Sequence, residues 1–262
     1  AGKGLEDFAG GTAVHINAGA AGLALAIVLG KRIGWRKESM RPHSLPLVML
    51  GAGLLWFGWF GFNAGSAIAS NGTAGLALLN TIGATTAAVL AWLLVEKIRD
   101  GHATSLGAAS GVVAGLVAIT PACAAVNASG ALIIGAVAGA LCALSVGLKF
   151  KLGYDDSLDV VAVHLVGGIV GTIMIGFVGV DVGLFNGGGT EQLVKQVIGA
   201  GAVLAYSFIA TLIIGKIIDA TMGFRITHDQ EIAGIDLAIH AERAYELSDN
   251  GQGSVLGFSK GA

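Results

Sequence analysis

Apolar stretches separated by short polar connections take up most of the chain. They run over roughly 8–30, 46–69, 74–95, 103–122, 129–149, 157–180 and 193–219. An α-helix needs about 20 apolar residues to cross a bilayer, and in lipid an open strand edge would leave backbone groups unpaired. The pattern therefore predicts an all-α polytopic membrane protein with about seven transmembrane helices. From about residue 220 charges mix with short apolar runs. This predicts a membrane domain over 1–220 and a cytoplasmic tail over 221–262, partly helical from Asp229 to about Leu247 and flexible through Asp249–Gly253.

Composition agrees: 54% of residues are hydrophobic and only 12% charged, against about 25% charged in a soluble domain. The 43 glycines show no three-residue period, so collagen-like order is excluded; small residues are what close helix packing in lipid requires. Gly107, Gly111 and Gly115, and Gly135 with Gly139, recur every four residues, which reads as helix association or as the wall of a narrow lumen. A net charge of −2 gives no pointer to nucleic acid. Cys123 and Cys142 lack a spacing motif and read as free, packed thiols. The start, Ala-Gly-Lys-Gly-Leu-Glu-Asp, is not a signal peptide and reads as the interior of a longer chain.

Basic residues set the expected topology. Of the 15 Lys and Arg, 13 fall in the 31–45, 96–102 and 149–156 connections or at the end of the last span and the tail. The alternate connections, 70–73, 123–128 and 181–192, hold none, and Lys3 and Lys195 are the exceptions. The N-terminus of this chain is expected outside and the C-terminus in the cytoplasm. Trp35, in the basic 31–45 connection, reads as an interface anchor.

Two spans carry a histidine, His15 and His164. Each has Asp at −8 (Asp7, Asp156), Val at −1, Gly at +4 and Gly at +7. Ionisable groups inside a span are costly and mark transport paths or proton relays, and related segments carrying one point to an internal duplication. Asp7 enters from the outside and Asp156 from the cytoplasm, so the segments are expected to run in opposite directions. Eight helical residues rise about 12 Å, placing both rings at depth. The alternative is two core histidines satisfied by backbone carbonyls. Asp7 alone reads as an N-cap, and Asp156 and Asp159 as residues stabilised by a helix dipole. His43, His102, His228 and His240 read as solvated or local contacts, and no pairing has metal-ligand spacing.

Five motifs in order then resemble the ammonium transporter (Amt/Mep/Rh) family. Asp7-Phe-Ala-Gly-Gly-Thr with Val-His15-Ile-Asn resembles its fifth helix, and Gly58-Trp-Phe-Gly-Phe-Asn-Ala-Gly-Ser66 its sixth. Thr120-Pro-Ala-Cys123 with Gly130-Ala-Leu-Ile-Ile-Gly135 resembles the connection between helices eight and nine, Asp155 through His164 the tenth, and Glu231 through Tyr245 the cytoplasmic tail. The resemblance implies part of an eleven-helix inverted-repeat fold, with helices one to four absent here. It also implies a homotrimer with one pore per subunit, passage of ammonium or ammonia across the lipid bilayer of the plasma membrane, and no cofactor, metal or enzymatic reaction. His15 and His164 would be twin histidines lining the lumen. Trp59 would line the pore beside them, and Phe62 would be a gate ring. Ser66 and Asp7 would shape the outer vestibule. Glu231, Gly234, Asp236, His240, Glu242 and Tyr245 would belong to a regulatory tail that couples subunits and meets a P-II type signalling protein; an ordered tail without a partner is the plainer alternative.

The chemistry fits such a path. A dry lumen rejects a bare cation by its desolvation cost, and imidazole relays a proton near neutral pH. Two rivals stand beside it: an ammonium sensor signalling through its tail, and an intramembrane hydrolase. The hydrolase needs a serine beside a buried histidine; Ser110 and Ser145 are unspecific candidates, and no Gly-x-Ser-x-Gly run occurs.

Overall fold

The structure, a computed structural model, describes residues 4–243. All regular structure among them is helical. In chain order the long elements are α1 (Thr12–Leu29), α2 (Leu45–Gly65), α3 (Gly72–Asp100), α4 (Ser105–Ile119), α5 (Ala128–Ser145), the short α6 (Leu148–Leu152), α7 (Val161–Val178) and α8 (Glu191–Met222). Two short tail helices, α9 (His228–Ala233) and α10 (Ile235–His240), follow.

Polar caps fix where the helices begin. Ser44, Asn71, Thr104 and Asn127 each accept a backbone N–H from the first turn of α2, α3, α4 and α5, pairing donors that a helix start leaves free. Glu96 adds to the α4 cap by accepting from the backbone N–H of Thr104 (2.9 Å) and from the Trp92 indole (3.2 Å).

Six of the helical stretches are long and apolar enough to cross a membrane. The stretch expected over 103–122 is the exception. α4 has only 15 residues, about 22 Å of rise, and ends ahead of Pro121, which restricts the residue before it and lacks an N–H. The irregular segment that follows is buried: Thr120, Ala122, Cys123 and Val126 have no exposed surface. Buried non-helical backbone must be paired within the protein. Asn80 supplies this by donating from Nδ2 to the carbonyls of Cys123 (2.9 Å) and Val126 (2.8 Å), while Phe8 N–H reaches Pro121 O.

The glycine stripes serve helix contact. α3 lies between α4 and α5. A Cβ on Gly115 would stand 2.6 Å from the Cα of Thr85, and one on Gly135 or Gly139 would strike the carbonyl of Ala84 or Ala88 at 2.1 or 2.2 Å. α8 packs along α1 and α7, and its Ser207 hydroxyl donates to Asn17 O at 2.9 Å. Leu54, Phe57 and Tyr206 on α2 and α8 remain 64%, 74% and 77% exposed, a distribution suited to lipid or further helices and not to water.

α1 and α7 run in opposite directions. The start of α1 meets the end of α7 through the Thr12 and Thr172 hydroxyls (2.8 Å). The residues after α1 meet those before α7 through Arg32 and Asp155 (2.7 Å). Gln196 of α8 anchors the segment ahead of α1, donating to Glu6 O (2.8 Å) and Thr172 O (2.9 Å) and accepting from Glu6 N–H.

The described part of the tail is partly helical. Gly234, at φ +91°, breaks it into α9 and α10, and Ala241, at φ +56°, ends α10 after His240. Thr227 and Gln230 form a capping box at the head of α9.

Candidate functional site

Both histidine helices begin later than their apolar patterns predict, and both begin alike. Residues 8–10 and 157–159 are non-helical, and the backbone five positions before each histidine is left-handed: Gly10 at φ +83° and Asp159 at φ +57°. The first turns, Thr12–Ile16 and Val161–Val166, are π-helical and contain the histidines. π-turns are uncommon and recur at functional sites. Each is capped by the aspartate eight residues ahead of its histidine. Asp7 accepts from the N–H of Thr12 (2.9 Å) and Ala13 (3.1 Å), and Asp156 from Val160 (3.1 Å) and Val161 (2.8 Å). Asp159 instead pairs with Lys149 at 2.7 Å.

The two segments cross reciprocally. Gly19, four residues after His15, lies against the backbone of Leu165, one residue after His164. Gly168, four residues after His164, lies against Ile16, one residue after His15. The rings are thereby brought to 5.6 Å between centroids, at 44°. His15 is 3% exposed, and its Nε2, like the Nδ1 of His164, is buried without a hydrogen-bond partner. Leaving such an atom unpaired costs about 1–3 kcal/mol. The plainer expectation, rings satisfied by backbone carbonyls, does not describe these two atoms.

α2 supplies the aromatic wall. Trp59 and Phe62 stack on His15 at 5.3 and 6.1 Å, and meet each other at a tilt of 36° with centroids 5.2 Å apart. They sit in the last two turns of α2 instead of its middle. The Trp59 indole donates to the Thr120 hydroxyl (2.9 Å), which donates to Leu116 O (2.7 Å), so the irregular segment fixes the ring. One turn on, Ser66 donates to Phe62 O at 2.7 Å, which leaves the lone pairs of its oxygen as acceptors. On the other side of the pair, His164 lines a cavity of about 330 Å³ with Val48, Ala52, Leu55, Ser110 and Leu158.

His15, His164, Trp59 and Phe62 are thus assembled in one place, with Asp7 at the head of α1 and Ser66 at the end of α2. The tail residues lie apart, beyond the other end of α1. Glu231 accepts from Ile33 N–H (2.7 Å) and pairs with Arg225 (2.7 Å), whose guanidinium also donates to Leu29 O. Those contacts, the side-chain bond from Arg225 first, hold the Glu231 carboxyl below its ordinary value. Gly234 and Asp236 form the joint between α9 and α10, His240 ends α10, and Glu242 N–H returns to Asp236 O (3.2 Å). Tyr245 lies outside the described residues. Thr172 and Gln196 were not singled out in the sequence, and Thr12, Thr120 and Asn63 stood there only as members of motifs, with no role of their own. All five are buried polar groups, and a polar residue within an apolar span was the available signal.

A family model described as Ammonium Transporter Family matches residues 2–245. The chain is 61% identical to "Ammonium transporter" of Mycobacterium tuberculosis (strain ATCC 25618 / H37Rv), covering 95% of this chain and 55% of that protein. It is 44% identical to "Ammonium transporter Amt1" of Archaeoglobus fulgidus, covering 92% and 63%. Among solved structures it superposes on Candida albicans Mep2 with TM-score 0.81 at 38% identity, covering 87% and 54%. A structure described as "Sensor Amt Protein" gives 0.82 at 32%, covering 90% and 60%. The chain spans about half the length of the mycobacterial relatives it matches.

Proposed function

The chain belongs to the ammonium transporter family, and on that premise we propose that it supplies the histidine-bearing half of a path for ammonium across the membrane. The observation that carries this reading is the meeting of His15 and His164, two buried rings 5.6 Å apart, at the crossing of two related, oppositely directed helices.

In this reading Ser66 and Asp7 belong to the outer vestibule. An ammonium ion is drawn there, and the acceptor oxygen of Ser66 faces its N–H groups. Asp7 acts through the backbone it caps. Phe62 closes the entrance and its ring face tolerates a cation. The ion loses a proton before the dry stretch, because a bare charge is costly there. Ammonia then passes Trp59, His15 and His164 and leaves by the cavity beside Ser110. The unpaired ring nitrogens let the pair hold one proton between them. A second would stand about 5.6 Å from the first, at a cost of about 3 kcal/mol with an effective dielectric of 20.

The pattern of basic connections favours an N-terminus of this chain outside and the tail, 221–262, in the cytoplasm. The whole protein is then a homotrimer of the plasma membrane, and its tail the docking face for a P-II type protein.

Ammonium-evoked current on a solid-supported membrane tests the reading, with proteoliposomes of this chain and of its full-length form. Current in the full-length form that disappears in the His15→Ala, His164→Ala double variant is the expected result. Undiminished current in that variant would overturn the role of the histidines. Absence of both current and stopped-flow pH change in the full-length form would overturn transport.

A further inference from the structure

The two turns that precede the histidines share a left-handed backbone position but fill it differently, with Gly10 in one and Asp159 in the other. Glycine takes that conformation freely, whereas a side chain there meets a steric cost. The Asp159 carboxylate offsets the cost through its partner. Its Oδ1 lies 2.7 Å from Lys149 Nζ, and the two side chains are only 31% and 13% exposed. Lys149 also donates to the backbone carbonyl of Asp156 at 3.0 Å, the residue whose carboxylate caps Val160 and Val161. One lysine of α6 therefore grips the turn at its beginning and at its end. The turn before His15 is tied by backbone instead, through Phe8 N–H to Pro121 O. The flanks of Asp159 face another way. Leu158 and Val160 wall the cavity of about 330 Å³ beside His164, together with Val48, Leu55 and Val113. Leu158 is nevertheless 80% exposed, so it stands at the rim of an apolar cavity without entering it.

We propose that Lys149 is the positioning residue of the exit on the His164 side: paired with Asp159, it is a latch that holds residues 157–159 clear of the cavity. The inference rests on the reading of that cavity as the exit of the path. Two forces oppose the latch, and both act in the same direction. A non-glycine residue held at positive φ relaxes when its restraint is removed. Leu158, set among aspartates at the polar end of α7, gains by moving onto the apolar walls. With the pair made, the lip stays back and the cavity is open. With the pair broken, Leu158 folds over the mouth between Val48 and Leu55. The turn is thus a two-state element, and α6 is the part of the fold that sets its state.

Thiol labelling of the full-length form in detergent tests the proposal. Ser110 lines the same cavity, so Ser110→Cys reports its accessibility to a sulfonated, water-soluble methanethiosulfonate, and the buried Cys123 and Cys142 set the background. Adding Lys149→Gln should slow labelling about fivefold, the upper end of what an ion pair of this exposure supports. Asp159→Gly keeps the left-handed backbone and removes the carboxylate, and it should slow labelling likewise. Lys149→Arg retains the charge and should label at nearly the parent rate. Melting temperatures report that each variant is folded. Labelling of Lys149→Gln at or above the parent rate overturns the latch. Parent-like labelling of Asp159→Gly would show that only the backbone conformation matters, and slow labelling of Lys149→Arg would show that only the packing of the lysine does; either result overturns the proposal as well. Labelling is read without substrate, so a full-length form that fails to transport would overturn the path and leave the latch to be judged on these rates.

Discussion

A Cβ placed on Gly19 would stand 2.4 Å from the backbone nitrogen of Leu165. The helix carrying His15 is therefore pressed onto the backbone directly after His164. Gly19→Ala forces the two apart, and overpacking of this kind costs about 1–3 kcal/mol. Gly168→Ala meets Ile16 Cγ1 at 3.0 Å, Ile16 N at 3.1 Å and His15 Cβ at 3.2 Å, a milder clash, and should cost less. Thermal melts of the two variants should rank in that order, and transport by the full-length form should fall further in Gly19→Ala.

Trp59 reports on the irregular segment after α4. Trp59→Phe keeps an aromatic ring on His15 but removes the bond to Thr120, worth about 0.5–1.5 kcal/mol, along with the packing of the larger indole. Thr120→Val should give a similar loss. The double variant should lose less than the sum of the two, which a double-mutant cycle on melting free energies will read directly.

Asn80 pairs two carbonyls at once. Asn80→Leu strands the carbonyls of Cys123 and Val126 in a buried position, at roughly 2–4 kcal/mol for the pair of groups. Faster modification of Cys123 by a membrane-permeant maleimide is the expected local signature.

The Arg32–Asp155 pair predicts acid sensitivity. Burial pushes the Asp155 carboxyl up, but the Arg32 side chain and backbone N–H outweigh it and hold the group below its usual 3.8. A carboxyl depressed in the folded state stabilises fully above its unfolded value and loses that contribution as pH falls through the folded one. Stability should thus be flat with pH from neutrality to about 4 on this account and decline below it. Asp155→Asn should remove that decline and cost about 1–2 kcal/mol at pH 7, since Arg32 is partly exposed.

Glu231 ties the tail to the connection after α1. Glu231→Ala releases Ile33 N–H and Arg225 together, and limited trypsin digestion should cut after Arg225 several times faster than in the parent protein.

How much of this was legible in the sequence depends on the kind of signal. The helical membrane fold followed from the lengths of apolar runs, because lipid imposes one simple rule on them. The recurrence of Asp, His and Gly at fixed offsets located the crossing, since Gly19 and Gly168 are the positions where backbones touch. The matching left-handed turns five residues before each histidine were hidden, because one is Gly10 and the other Asp159, and residue type alone does not reveal shared φ. The shortness of α4 was hidden for another reason. Ala122, Cys123 and Val126 are as apolar as any span, and the partners that let that segment remain non-helical, Asn80, Phe8 N–H and Val180 N–H, come from elsewhere in the chain. The break at Gly234 was readable in principle, yet the surrounding tail pattern was too polar to show where a helix would stop.

The reciprocal crossing of α1 and α7 has one more consequence. Because each histidine follows its own cap and π-turn, and the two helices are opposed, the middle of the molecule is close to a palindrome. The likeness is one of backbone, because the aromatic pair Trp59 and Phe62 stands on the His15 side and the cavity beside Ser110 on the His164 side. Any preference for inward over outward movement must then be written in those side chains and at the margins, where one end carries Asp7, Asp181 and Glu191 and the other the basic connections and the anchored tail.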